Sequence, residues 1–266
     1  MEFKYLQLER NDQVLTIWLN RPDVHNAFNP DVIQELHSCF NALNQSNEIR
    51  VVILAGRGKS FSAGADLNWM KAQGEAELTD NEADALKLAQ MLDALATLKQ
   101  PAIARVHGAA LGGGMGLASA CDICIASTEA QFATSEVRLG LAPSTISPYV
   151  IRAIGARQAS RYFLTAERIS AKHAHDIGLV HEVTEPEHLD QEIQEIVEAL
   201  LLGGANAQTA SKQLIAMVSN QPVNNALLDK TARHIAHLRQ SSEAKDGLNA
   251  FLNKQRPTWV KTTSEE

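Results

Sequence analysis

Two short glycine-bracketed segments stand out as chemistry: Ser60-Phe61-Ser62-Ala63-Gly64-Ala65-Asp66 and Leu111-Gly112-Gly113-Gly114-Met115-Gly116. Each follows a β-branched apolar run and opens a stretch that can be helical, so each can aim unpaired backbone N–H groups at one point. Two such donors converging on a carbonyl oxygen form an oxyanion hole. Glycine suits these turns because it accepts positive φ and lets a ligand approach the backbone with no Cβ in the way. The expected chemistry is therefore stabilisation of an anion formed at a carbonyl.

The elements that must hold these turns read as follows. Residues 3–9 and 14–20 form a hairpin around Arg10-Asn11-Asp12. A helix begins near Pro30, with Val32, Ile33, Leu36, Phe40 and Leu43 on one stripe, and residues 50–55 form a buried strand. A second helix spans 81–98, carrying Leu86, Leu88, Met91, Leu92 and Leu95, and feeds a strand at 102–106 through Pro101. The glycine-rich turn follows at once, then a short helix and a strand at 122–126. This alternation favours parallel strands joined by helical crossovers, an α/β fold.

A further strand is expected at 179–183, followed by a helix with Leu189, Ile193, Ile196, Val197 and Leu200 at helical spacing. Gly203-Gly204 then breaks the chain, and helices follow at 208–219, 223–240 and 243–253. The organisation is thus a core over residues 1–203 and a helical region over 204–266. The stripe Leu227, Leu228, Ile235 and Leu238 packs on the core or on another subunit, and Thr262 to Glu266 reads as a frayed tail.

At 266 residues and 45% hydrophobic composition the chain is long enough to bury a full core. A net charge of -7 without a Lys/Arg block argues against nucleic acid as a partner. The start lacks a signal layout and no run is long enough for a membrane span, so no membrane partner and a cytoplasmic location are expected. Cys39, Cys121 and Cys124 are too few and too uneven for a disulfide framework and read as buried thiols. No metal site is expected: His173 and His175 flank Ala174 at a spacing that points them apart on a helix. Gly112-x-Gly114 is out of step with a dinucleotide fingerprint and comes too late in the chain for one.

Asn20-Arg21-Pro22 with Asn26-Ala27, the segment from Phe61 to Asp66, and Gly108-Ala109-Ala110-Leu111-Gly112-Gly113-Gly114 occur in a set order. With Ala130-Gln131-Phe132 and the segment from Leu164 to Ala171, this pattern resembles the enoyl-CoA hydratase/isomerase (crotonase) family over about residues 5–256. The resemblance implies a crotonase-like core of repeated ββα turns in a superhelix and a C-terminal α-helical trimerisation region. It implies homotrimers, often paired into hexamers, and an acyl-CoA thioester substrate, with coenzyme A entering only as part of that substrate and no other cofactor. It assigns the oxyanion amides to Ala65 and Gly113, and contacts to substrate or coenzyme A to Val24, Ala63, Asp66, Leu67, Gly112, Gly116 and Arg138. Arg21, Lys59, Lys254 and Arg256 are candidates to meet the phosphates.

Of the two glutamates used by the family's hydratases, one is matched by Glu136; the other position holds Gly116, which can neither bind nor deprotonate water. Glu136 follows Ser135, a possible N-cap, and opens Val137-Arg138-Leu139, where a helix N-terminus would favour its anion. Its implied role is proton transfer at the carbon α to the thioester. The segment from Ser135 to Val150 resembles bacterial methylglutaconyl-CoA hydratases of leucine breakdown and relatives acting on isohexenylglutaconyl-CoA. General enoyl-CoA hydration, double-bond isomerisation by the single Glu136 and non-catalytic acyl-CoA binding are the alternatives. A distal carboxylate would meet Arg138, Arg152 or the hydroxyls of Ser144, Ser147 and Tyr149, although Tyr149 also reads as a core side chain with a bonded hydroxyl.

Overall fold

The computed structural model of this protein describes residues 3–261, so the tail expected from Thr262 lies outside the described residues. The chain opens on the expected hairpin of β1 (Leu6–Asn11) and β2 (Val14–Leu19), paired antiparallel. Arg10 and Asn11 extend β1, and the reversal falls at Asp12, whose φ of 51° takes the left-handed turn conformation. Leu15, Ile17 and Leu19 alternate inward along β2.

Helix α1 (Pro30–Gln45) starts where proline at N1 and the Asn29 side chain, accepting from the Val32 amide at 2.9 Å, satisfy its first turn. Its predicted stripe of Val32, Ile33, Leu36, Phe40 and Leu43 is buried. After β3 (Val51–Gly56) come α2 (Leu67–Glu75) and α3 (Leu78–Ala96), then β4 (Ala102–Val106). Met91, Leu92 and Leu95 of α3 are fully buried, but Leu86 is exposed because it lies half a turn around the helix from Leu95.

The glycine-rich turn does not follow β4 directly. A three-residue strand, β5 (Ala109–Leu111), intervenes before α4 (Gly113–Ala120). The same pattern recurs: β6 (Ile123–Ser127) is followed by β7 (Gln131–Ala133), a 3-10 turn over Glu136–Leu139 and α5 (Ser147–Thr165). Helix α5 escaped sequence reading because Pro148 sits in its first turn and Gly155, at φ 73°, kinks it. Then come β8 (Ile169–Ser170), α6 (Ala171–Asp176), β9 (Glu182–Thr184) and α7 (Leu189–Leu202). The strand expected at 179–183 therefore starts later, with Leu179 and Val180 buried in its approach.

The strands make two sheets. The larger runs β1-β2-β3-β4-β6-β9 and is parallel from β2 onward; the smaller runs β5-β7-β8, with β5 and β7 parallel. A strand of the large sheet, a short segment of the small one and then a helix form the repeating unit, and the α/β expectation holds. Ser62 bridges Ala110, which pairs with Phe132, so the small sheet sets segments distant in sequence side by side.

Two compact units divide at Glu195/Ile196, inside α7 rather than at Gly203-Gly204. The second unit contains the end of α7 with α8 (Ala205–Val218), α9 (Asn225–Gln240) and α10 (Ser242–Leu252), the helices expected there. The Asn224 and Ser241 side chains cap α9 and α10, and the Glu243 carboxylate accepts from the Asn206 and Ala207 amides at the start of α8. Leu228 and Ile235 of the expected stripe are exposed. Among the described residues no helix is long and apolar enough to cross a membrane.

Phe132 is fully buried at the centre of the small sheet. Phe132→Ala is expected to cost about 3–5 kcal/mol, read as a lower denaturant midpoint with an unchanged slope.

Candidate active site

The first glycine turn is tied down by the loop before α1. Asn26 is the knot: its Oδ1 accepts from the Arg21 amide at 2.9 Å, and its Nδ2 donates to the carbonyls of Arg57 and Ser60 at 2.8 Å. The Ala63 amide donates to His25 O, the Phe28 amide to Gly64 O and the Asp66 amide to Phe28 O. Bonded neighbours thus flank Ala65 on both sides, while its own N–H donates to no acceptor among the described residues. Gly64 supplies the positive φ, 88°, that turns this amide outward.

The second turn is laced to the first. Ser62 N donates to Ala109 O at 3.0 Å, Leu111 N to Ser62 O at 2.9 Å, and Gly112 N to Ala133 O at 2.8 Å. Gly113 then begins α4, and as a first-turn amide its N–H has no intrahelical acceptor. No other acceptor among the described residues takes it. The turns approach so closely that a Cβ on Gly64 would lie 2.7 Å from Leu111 O and 3.3 Å from Gly113 N. A Cβ on Gly113 would meet Phe28 Cε2 at 2.6 Å, and one on Gly114 would meet Ser62 O at 2.3 Å. Only glycine backbone permits this approach, and it brings the Ala65 and Gly113 amides, neither with an acceptor among the described residues, onto adjoining segments of chain.

Glu136 arrives at the same place from β7. A Cβ on Gly112 would lie 3.1 Å from Glu136 Oε1, so the carboxyl rests on bare backbone beside the Gly113 amide. Its Oε2 is buried and has no hydrogen-bond partner among the described residues. Burial raises the Glu136 pKa above the ordinary glutamate range, and a bond from its own amide offsets this only in part. The expectation of an anion favoured by a helix N-terminus is corrected here. Ser135 makes no capping bond, the following element is a four-residue 3-10 turn, and desolvation rather than a dipole sets the ionisation.

The other predicted residues divide into surface and scaffold. Val24 and Leu67 are exposed, and Ala63, bonded to His25, lies beside Val24 in the laced loops. Asp66 faces the protein instead: Oδ1 caps α2 through the Asn68 amide at 3.0 Å, and Oδ2 pairs with Arg21 at 3.1 Å. Burial pushes this carboxyl up, but the Arg21 hydrogen bond and the Asn68 and Trp69 amides outweigh it, and its pKa falls below the ordinary value. Arg21 also donates to Ala27 O and lies 5.1 Å from the Tyr5 ring, which makes it a clamp between loops rather than a phosphate ligand. Lys59 is exposed, whereas Lys254 and Arg256 belong to the second unit.

Gly112 carries the carboxyl of Glu136, as above. Gly116 is buried, with Ile146 Cγ2 only 2.2 Å from where its Cβ would sit, so an apolar side chain fills the space beside this position, where the resemblance led to the expectation of a second carboxylate site. Arg138 is exposed and without an acidic partner among the described residues. Arg152 lies 5.8 Å from the Tyr149 ring. Tyr149 is half-buried and its hydroxyl is unbonded among the described residues, contrary to the expectation of a bonded one. Burial first, then Asp93, raises its pKa. Ser144 and Ser147 spend their hydroxyls on carbonyls within their own turn. Phe28 and Ile146, which back the α4 turn, had no signal in the sequence beyond being apolar.

The three cysteines are buried free thiols as expected; burial pushes Cys39 and Cys124 up to about 12. A separate cavity of about 340 Å³ is lined by Trp18, Arg57, Arg105, His107 and Ser127 among others and includes no predicted site residue. Its guanidiniums are already paired, Arg57 with Glu9 and Arg105 with Asp190.

Comparison with known proteins adds to this geometry. The family model described as enoyl-CoA hydratase/isomerase matches residues 9–262. A crystal structure of an enoyl-CoA hydratase from Shewanella pealeana superposes with a TM-score of 0.94 at 39% identity, covering 97% of each chain. The short-chain-enoyl-CoA hydratase of Clostridium acetobutylicum is 33% identical, covering 96% of this chain and 97% of its own. A trans-2-decenoyl-[acyl-carrier-protein] isomerase of Streptococcus mutans is 28% identical, covering 98% and 99%.

Because burial raises the Glu136 pKa, the folded protein retains that proton at pH values where the unfolded chain has lost it. Ionisation of Glu136 therefore lowers stability as pH rises from the ordinary glutamate range to the raised value. Glu136→Gln is expected to melt at or above the parent temperature at neutral pH, with the difference shrinking in acid below that range. Its turnover should fall by roughly 100-fold or more, and the parent kcat/KM should rise with pH through a value above that of an ordinary glutamate.

Proposed function

The chain belongs to the enoyl-CoA hydratase/isomerase family, and we propose that it is a hydro-lyase adding water across the double bond conjugated to an acyl-CoA thioester, with 3-methylglutaconyl-CoA as the substrate. The observation that carries this reading is the meeting of two amides, Ala65 and Gly113, beside a buried carboxyl oxygen of Glu136, none of the three with a hydrogen-bond partner among the described residues. The thioester oxygen accepts from both amides. Glu136, ionised, takes a proton from water as the water oxygen bonds to the β carbon, and the double-bond electrons move to the carbonyl as an enolate. Collapse of the enolate takes the proton from Glu136 onto the α carbon. One carboxyl thus serves as base and then acid, both hydrogens and the oxygen of water are accounted for, and a raised pKa suits both roles.

Val24, Ala63 and Leu67 line the approach for the coenzyme A portion, with Lys59 nearest in sequence for its phosphates. The hydratase names of the Clostridium and Shewanella relatives support water addition. Arg138, two positions past Glu136 and without an acidic partner among the described residues, supports an acyl chain ending in a carboxylate. A homotrimer or a hexamer of paired trimers is supported by the exposed Leu228, Ile235, Leu248 and Phe251 on α9 and α10. A second reading, double-bond isomerisation, is favoured by the single carboxyl and by the name of the Streptococcus relative.

Crotonyl-CoA, 3-methylglutaconyl-CoA, isohexenylglutaconyl-CoA and a 3-enoyl-CoA, each followed by absorbance of the conjugated thioester, separate these readings. The methylglutaconyl compound is expected to be hydrated with a kcat/KM about tenfold or more above crotonyl-CoA. Arg138→Gln should remove that preference while leaving crotonyl-CoA hydration near the parent rate. Conversion of the 3-enoyl compound without water addition would instead assign an isomerase.

A further inference from the structure

The first turn of α4 is braced from three directions, each brace seated on a glycine. Phe28 presses on Gly113, the Ser62 carbonyl on Gly114, and Ile146 on Gly116, where an added Cβ would lie 2.2 Å from Ile146 Cγ2 and 2.8 Å from its Cβ. Two of these braces belong to the loops already described. The third comes from the start of α5. Ile146 is 2% exposed and its carbonyl accepts from the Tyr149 and Val150 amides, so the backbone that carries it is locked into the α5 N-terminus. The segment leading to it begins with the Leu141 amide bonded to Glu136 O. A single short stretch of chain therefore holds the carboxyl at one end and braces the helix that offers the Gly113 amide at the other.

We infer that Ile146 is a positioning residue, whose β-branched side chain, seated on Gly116, sets the direction of the Gly113 N–H relative to Glu136 and thereby the polarisation of the bound thioester. The inference rests on the reading above that Gly113 donates to that carbonyl. The contacting atom is Cγ2, a branch that valine keeps and leucine lacks. Ordinary packing makes the opposite demand, since leucine preserves the volume of isoleucine and valine does not. Shape and volume are thus separable at this position.

The experiment compares Ile146→Val, Ile146→Leu and Gly116→Ala with the parent for kcat, KM, melting temperature and the absorption of a bound cinnamoyl-type CoA thioester, whose long-wavelength band moves red as its carbonyl is polarised. Ile146→Val should keep kcat within about twofold and keep the red shift, whereas Ile146→Leu should lose about tenfold in kcat at near-constant KM, with a smaller red shift, because small misplacements of donors are costly to rate. Gly116→Ala should behave as Ile146→Leu. A leucine variant with parent kcat and red shift overturns the inference, as does loss in both Ile146 variants that merely follows their loss of melting temperature. A parent protein that binds the thioester with no red shift at all overturns the Gly113 donor reading itself, and the two failures are told apart by that control.

Discussion

A folded backbone must bond nearly all of its buried amides, yet the proposed chemistry needs two left over. The surrounding structure follows from meeting both demands. The amides beside Ala65 are used: Asp66 N reaches Phe28 O, and Gly64 O receives Phe28 N. On the other turn Gly112 N is bonded to Ala133 O and Gly116 N to Gly112 O, while Gly114, like Gly113 a first-turn amide of α4, also has no acceptor among the described residues. The Ala65 and Gly113 amides are not slack in the fold. Bonded groups flank them at Gly64 O, Asp66 N and Gly112 N, and the glycines at 64, 112 and 113 permit the approach that makes the pair adjacent.

The same lacing keeps formal charge away from the centre. Arg21 and Asp66, the nearest charged pair in the first loop, are consumed by each other, by Ala27 O and by the cap of α2. Glu136 consequently faces peptide dipoles and apolar surface, and burial is the leading influence on its proton affinity. An ion pair would have drawn its pKa down and weakened it as a base. Gly116 and Ile146 extend this pattern, since the space beside α4 that a second carboxyl would need is filled by hydrocarbon.

The small sheet explains how segments far apart in sequence reach one point. Strands β5 and β7 directly follow β4 and β6 of the large sheet, so Ser62, Ala110 and Phe132 come into register as successive turns of the same repeat. Glu136 is then the residue reached a few positions past that register, and Gly113 is reached just past it on the neighbouring turn. The geometry of the candidate site is inherited from strand pairing rather than from contacts among the side chains themselves.

Much of this was legible in order and kind. Periodicity located α1 with its buried stripe, the parallel strands β3, β4 and β6, and the C-terminal helices, because long amphipathic or continuously apolar runs carry their signal locally. The glycine turns and Glu136 were equally visible as residue types. Strands β5 and β7, of three residues each, are too short for any period, and α5 is masked by Pro148 and the kink at Gly155. Local sequence thus determined which residues were available for the chemistry: two turns able to present amides, and one carboxylate where the family has two. Tertiary structure alone decided that Asp66 and Arg21 serve as scaffold, that burial rather than a helix dipole governs the ionisation of Glu136, and that Ile146 packs on Gly116 of α4. The reason is physical: ionisation, pairing and close packing depend on what lies within a few ångströms in space, and the chain brings those neighbours together only by folding.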